Sequence, residues 1–218
     1  MDADEAQLDV IRRRYAKDGF NVVHQVPREI LERRLSLVCS PQDFRGKRVM
    51  EFGAGCSPYL PLFLEYGCSA LVANDLVPER LALNGIHDPR YSDIAGDLRT
   101  LPLEDGSFDV IFANLTVMFV IPMLDEVMVK LAALLRPGGL LINIDPNYLC
   151  PIALYRLLAD RSGANPAKAF NPFTFRKVAR RHGFAVDKMV PFTRGMPWAD
   201  GMWLLGTSFA ARSVRLPR

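Results

Sequence analysis

The chain has 218 residues, half of them hydrophobic and 23% charged, with 27 basic against 24 acidic residues and a formal net charge of +3. That length suits one domain with a small appendage; the composition supports a substantial core and excludes long disorder, and the charge is too balanced to predict nucleic-acid binding. The N-terminus, Met1-Asp2-Ala3-Asp4-Glu5, lacks the basic-then-apolar plan of a secretory signal, and no apolar run reaches the ~18 residues of a membrane span, so a cytoplasmic protein without integral membrane association is expected.

Residues 1–45 read as an N-terminal helical cap. Leu8, Ile11 and Tyr15 fall at i, i+3 and i+7 and form one apolar stripe. Pro27 suits a helix start, and Leu31, Leu35 and Val38 repeat the stripe until Ser40-Pro41 breaks it. Asp18 to His24 between them reads as a loop or short extended piece.

From Lys47 the pattern changes, and residues 46–213 read as the main domain. Short apolar runs at Val49–Phe52, Ala70–Ala73, Phe108–Ala113 and Leu140–Ile144, with a weaker one at Tyr91–Ile94, predict parallel strands covered on both faces. Helices are predicted over Tyr59–Tyr66, Pro78–Asn84 and Pro122–Leu135. This alternation implies right-handed βαβ units and a doubly wound sheet. Residues 147–171 form an insertion with an apolar helical piece, Ile152–Leu158. A helix over Phe173–His182 stops at Gly183. Strands at Ala185–Val190 and Trp203–Ala210 follow, too close together for a crossover helix, and are therefore predicted as antiparallel neighbours. The four cysteines, Cys39, Cys56, Cys68 and Cys150, form no close Cys-x-x-Cys pair; reduced thiols are expected, without a zinc site or another bound metal.

The chemistry-bearing pieces begin at Glu51-Phe52-Gly53-Ala54-Gly55-Cys56-Ser57, where a buried strand runs into Gly-x-Gly and a helix follows. Glycines serve there if the chain turns sharply and a ligand approaches its backbone; a plain tight turn is the alternative. Asp75, 24 residues after Glu51, ends the next strand, where a carboxylate can accept from two ribose hydroxyls. Its alternative is a capping residue for the helix that Pro78 opens. Next come Gly96-Asp97-Leu98, Phe108-Asp109-Val110-Ile111-Phe112-Ala113-Asn114 and Leu135-Arg136-Pro137-Gly138-Gly139-Leu140.

In this order and spacing, these pieces resemble the class I S-adenosylmethionine-dependent methyltransferases from about Lys47 to Ile144, and more weakly through the last two strands. The resemblance implies a Rossmann-like α/β fold: a mostly parallel seven-stranded sheet with an antiparallel last strand and N-terminal helices. It also implies S-adenosyl-L-methionine as cofactor and methyl transfer as the activity. Gly53, Ala54 and Gly55 would pass under the methionine part, and Glu51 would brace that loop or meet the amino group. Asp75 and Leu76 would lie at the ribose, Asp97 would accept from the adenine amino group beside Leu98, and Asn114 would face the cofactor.

The sequence departs from the family in two places. Ser57 stands where the family often has a third glycine, and can donate to the cofactor carboxylate. Pro58 follows it, which argues against nicotinamide binding. Asn114-Leu115-Thr116-Val117 also lacks the Asn/Asp-Pro-Pro-Tyr signature of enzymes that methylate amino groups of bases or glutamine. A small-molecule acceptor, methylated on oxygen or nitrogen, is therefore expected, with no nucleic-acid partner. A non-catalytic cofactor-binding subunit and an NAD-binding oxidoreductase are the alternatives. Candidate acceptor residues are Tyr15 and His24 near the N-terminus, with Asp145, Asn147 and Tyr148 after the fifth strand. Ile152, Leu154, Leu157 and Leu158 offer either an apolar lid or core packing. No general base stands out, and nothing sets an oligomeric state.

Overall fold

The computed structural model describes residues 3–15, 26–159, 171–193 and 197–217. Its elements in chain order are α1 (Ala3–Tyr15), α2 (Arg28–Ser36), β1 (Arg48–Phe52), α3 (Tyr59–Glu65), β2 (Ala70–Asp75), α4 (Pro78–Ala82), β3 (Tyr91–Ala95) and β4 (Phe108–Asn114). Then follow α5 (Leu124–Leu134), β5 (Leu135–Pro146), α6 (Pro151–Ala159), α7 (Pro172–Arg181), β6 (Phe184–Phe192) and β7 (Ser208–Arg215).

The strands form a seven-stranded sheet in the order β3-β2-β1-β4-β5-β7-β6. Strands β1 to β5 pair in parallel, whereas β7 runs antiparallel to both β5 and β6. Alternate residues of each strand feed opposite faces. Val49, Val110, Phe112 and Ile142 pack on one face under α2 and α3, through Leu31, Leu35, Tyr59 and Phe63. Met50, Ile111, Leu141 and Phe209 pack on the other under α5 and α7, through Val127, Met128, Leu131 and Phe175. Both faces are covered, which explains the continuous apolar runs of the inner strands. Leu8 of α1 joins the second core.

The predicted strand at Trp203–Ala210 is displaced: β7 begins at Ser208 and runs to Arg215. Its expected first half is a turn, pinned by the Asn147 side-chain amide, which donates to the carbonyls of Trp203 and Gly206 at 2.8 Å each. A long-range hydrogen bond outweighs the local apolar pattern here. The order reverses at β1, whose neighbours are β2 and β4, and this switch point opens a crevice at the carboxyl edge of the sheet.

Candidate active site

The floor of the crevice is the turn after β1. Gly53 and Gly55 take φ of 68° and 50°, the left-handed region that costs other residues strain. The turn is tied down from three sides. Ala54 N–H donates to Asn74 O (2.8 Å), and Gly55 N–H donates to Asp75 Oδ2 (2.8 Å). The Thr116 hydroxyl lies over it, within reach of Gly53 O (3.3 Å) and Asn114 O (3.0 Å). The other oxygen of Asp75 accepts from Val77 N–H (2.8 Å). Burial pushes the Asp75 carboxyl above its ordinary range; the Val77 N–H, the Arg80 charge and the Gly55 N–H offset this in part. Asp75 thus braces the glycine turn and caps the start of α4. Each carboxylate oxygen still keeps acceptor capacity toward the crevice.

Beneath the turn, Glu51 is almost completely buried, and its Oε1 accepts from the Ser57 hydroxyl at 2.6 Å while Oε2 has no partner. Burial raises its carboxyl to about 8, with the Ser57 bond opposing and Asp75 reinforcing the shift. Asn84 clamps the same loop. Its amide donates to Gly55 O (2.8 Å), and its Oδ1 accepts from Ser57 N–H (3.1 Å).

Above this floor lies a cavity of about 510 Å³, walled by residues from the ends of β1, β2, β3 and β4 and from α1 and α2. That volume falls within the range of small-molecule and cofactor sites. Of the residues singled out by sequence, Gly53, Ala54, Ser57, Asp75, Leu76, Asp97, Leu98 and Asn114 line it together. Gly55 and Glu51 lie just behind its wall. Asp97 is held by Arg99, whose guanidinium reaches its Oδ2 at 2.8 Å and bonds Glu126 at 2.7 Å on the other side. Leu115 after β4 takes φ of 54° and is exposed at the rim. A leucine in the left-handed region is strained, and such strain gathers at functional sites.

The acceptor-side expectations need correction. Asp145 and Asn147 do not line the cavity: both are fully buried. Asn147 holds the 203–206 turn, as described above. Asp145 and Asn143 project from β5 into the apolar core on the α5–α7 face. Tyr148 packs against that same core rather than the cavity. Tyr15 ends α1, and its side chain, like all of His24, lies outside the described residues. His87 is exposed, and His182 pairs with Asp125 (2.6 Å), away from the crevice. Core packing does not describe α6, because Ile152, Leu154 and Leu158 are exposed; the side chain of Leu157 is outside the described residues.

Sequence reasoning missed Arg34, Asn84 and Thr116. Arg34 on α2 reaches the cavity beside Ser57 and Tyr59, although its helix carries the buried stripe of Leu31 and Leu35. Thr116 stands two residues beyond Asn114, a placement that local pattern does not reveal. Asn84 was legible only as the end of a helix. Phe119, Val120 and Met123 supply an apolar wall.

Residues 50–143 match the family model described as a methyltransferase domain. A curated arsenite methyltransferase of Aquipseudomonas alcaligenes is 29% identical over 172 residues, 69% of this chain and 48% of that protein. The sterol 4-C-methyltransferase strm-1 of Caenorhabditis elegans is 40% identical over 67 residues, 31% of this chain and 20% of that protein. The chain thus spans about half or less of the length of these curated relatives. Among solved structures, the 1,6-didemethyltoxoflavin-N1-methyltransferase of Burkholderia thailandensis, with bound 1,6-didemethyltoxoflavin and S-adenosylhomocysteine, superposes with a TM-score of 0.70. It is 19% identical, and the match covers 100% of this chain and 92% of that one. Residues 50–143 thus match a methyltransferase domain, and the fold is one seen in S-adenosylmethionine-dependent methyltransferases of known structure.

Proposed function

We propose that this chain by itself transfers the methyl group of S-adenosylmethionine to an oxygen or nitrogen atom of a small-molecule acceptor, with residues 1–45 as a cap over the site. The observation that carries the reading is the shared cavity. The glycine turn, Asp75 and Asp97 come from three separate strand ends and border one space of cofactor size. In this reading the methionine part lies along Gly53–Gly55, with its carboxylate toward Ser57 and the Arg34 cation. The ribose meets Asp75, and adenine lies between Leu76 and Leu98 with its amino group toward Asp97. The sulfonium methyl then faces Asn114 and Leu115.

Transfer is a displacement at carbon with a sulfonium as leaving group, so alignment supplies much of the rate. The two carboxylates of the cavity are both engaged within the protein, Asp75 by backbone N–H groups and Asp97 by Arg99. This favours an acceptor that arrives with its nucleophilic lone pair free, or that loses a proton readily, over one needing a dedicated base. The apolar wall of Phe119, Val120 and Met123 favours a flat or apolar acceptor. The relatives' own substrates, arsenite, a sterol and didemethyltoxoflavin, are all small molecules.

The test is calorimetry with S-adenosylmethionine and, separately, NAD, followed by identification of methylated product from fractionated extract. Asp75→Ala should weaken cofactor binding at least tenfold, because roughly 1.5–3 kcal/mol attaches to a hydrogen bond with a charged partner. An unchanged dissociation constant in the folded variant removes Asp75 from the ribose site. Tight NAD binding without a response to S-adenosylmethionine overturns the whole reading. Cofactor binding with no product from any fraction supports the non-catalytic subunit instead.

Glu51 makes cofactor binding depend on pH. Its carboxyl, raised to about 8, is largely neutral at pH 7. A cofactor ammonium beside it favours the ionised form, so binding should expel a proton and tighten as pH rises from 5.5 to 7.5. Calorimetry in two buffers of different ionisation enthalpy should show close to one proton released near pH 7. Glu51→Gln should remove the difference between the buffers. Equal heats for the original protein would place the ammonium elsewhere.

A further inference from the structure

We infer that the face built by α6, the start of α7 and the 197–206 turn docks the protein onto an anionic lipid bilayer. On α6, Tyr155 and Leu158 are 73% and 68% exposed; Phe173 opens α7 at 62%, and Trp198 and Leu204 of the turn are 68% exposed. Soluble surfaces scatter such side chains singly, whereas these three pieces adjoin. The Phe173 ring stacks on that of Trp203, at 6.3 Å between centroids. Cys150, immediately before α6, lies against the carbonyl of Leu205, its Sγ at 3.7 Å. Asn147 ties the start of the same segment to the 203–206 turn. The patch stands at the carboxyl edge of the sheet, the edge on which the cavity opens.

Charge identifies the occupant. Residues 147–207 hold nine basic and three acidic residues, while the rest of the chain holds 18 basic and 21 acidic. Along the sequence the positive charge is therefore concentrated in this segment, and among its described residues Lys177 and Arg180 stand exposed. Of its acids, Asp200 is paired with Arg33 at 2.6 Å and Asp187 with Arg212 at 3.4 Å. Lys177 and Arg180 are exposed on α7 at i+4 and i+7 from Phe173, so they share its side of the helix. Aromatic and aliphatic side chains beside cations suit the boundary between acyl chains and anionic headgroups. A second copy of the chain fits less well, because a self-complementary contact would bring the Lys177 and Arg180 cations of both copies into one interface. A nucleic-acid backbone would satisfy the cations but leave the apolar groups in water.

The inference concerns docking and does not depend on which molecule is methylated. It is tested with the full chain by co-sedimentation with vesicles of phosphatidylcholine alone and of phosphatidylcholine with 30% phosphatidylglycerol. Binding to the anionic vesicles only, weakening with salt, is expected. Lys177→Gln with Arg180→Gln should weaken it about 30-fold, the equivalent of ~1 kcal/mol for each charge. Trp198→Ser with Leu204→Ser should weaken it about tenfold or more. Both double variants should keep the original affinity for S-adenosylmethionine, which separates lost docking from lost folding and from any failure of the methyltransferase reading. The inference is overturned if the folded protein ignores anionic vesicles. It is equally overturned if the Trp198–Leu204 variant binds them unchanged, the mark of plain polyanion binding. A self-association removed by that same variant, with no vesicle binding, would assign the face to a contact between copies.

Discussion

Replacing Gly53 with alanine is expected to weaken cofactor binding by two orders of magnitude or more, and to lower stability as well. Two costs add at this position. The backbone φ of 68° charges a side chain about 1–2 kcal/mol. A Cβ there would also overlap the Thr116 side chain, which closes over the turn toward Gly53 O and Asn114 O. A loss of about 3 kcal/mol in the bound geometry corresponds to roughly a hundredfold in affinity. Gly55→Ala should cost less. Its φ is equally left-handed, but the group in the way is the guanidinium end of Arg80, which can swing aside. Pairing Gly53→Ala with Thr116→Ala separates the two costs, since the second change relieves the overlap and leaves the backbone strain. Calorimetric affinity and urea midpoints for the four proteins measure both. A Gly53→Ala variant that binds S-adenosylmethionine like the original would refute the tight-turn geometry.

The second large effect concerns Asp145. It is fully buried, and neither carboxylate oxygen has a hydrogen-bond partner of ordinary geometry. Burial raises its carboxyl to about 8, and the nearby Asn143 side chain and Met118 N–H offset only part of the shift. In the unfolded chain the group titrates near 3.9. Between these values the folded state binds more protons than the unfolded state, so stability falls as pH rises. The penalty is absent below about pH 4, grows through the window and is complete above about pH 8. At pH 7 it reaches roughly 4 kcal/mol, taking 1.36 kcal/mol for each unit. Glu51, also raised to about 8, contributes in the same direction.

Asp145→Asn should therefore stabilise the protein by several kcal/mol at pH 7, change little at pH 4, and flatten the slope between pH 5 and 8. Urea unfolding at four pH values reads this directly. Parallel pH profiles for the variant and the original would mean that Asp145 is solvated or paired. The variant should keep its affinity for S-adenosylmethionine, since Asp145 does not border the cavity.

The residues proposed to hold the cofactor stand out in the sequence where their signals are local. A left-handed turn demands glycine, so Gly53 and Gly55 announce the turn by residue type alone. Asp75 ends a strand that shows in the apolar run before it, whereas Asp97 follows the polar strand β3 and was marked by the family resemblance. The acceptor half has no such grammar. Asp145-Pro146-Asn147-Tyr148 follows β5 at the expected edge, yet the chain turns Asp145 inward and spends Asn147 on two backbone carbonyls. Period-2 alternation fixes which residues share a face, but not which face receives a pocket. Arg34 shows the converse: on a helix with a buried stripe, a cation beside that stripe reaches the cavity.

The sequence by itself determined the order of strands and helices, the parallel character of the inner sheet, the antiparallel end and the class of cofactor. The elements follow from periodicity and turn chemistry, which are properties of neighbouring residues; the class of cofactor and the seven-stranded plan came from the family resemblance that the ordered motifs carry. Tertiary structure alone decided that β7 starts at Ser208, that Asp75, expected to meet the ribose or to cap a helix, also braces the glycine turn, and that Asn84 and Thr116 hold that turn from outside its own segment. It also decided that apolar residues of α6 and of the 197–206 turn stand exposed. These outcomes depend on hydrogen bonds and packing between residues far apart in the chain, such as Asn147 with Gly206 and Thr116 with Gly53, whose pairing no local pattern encodes.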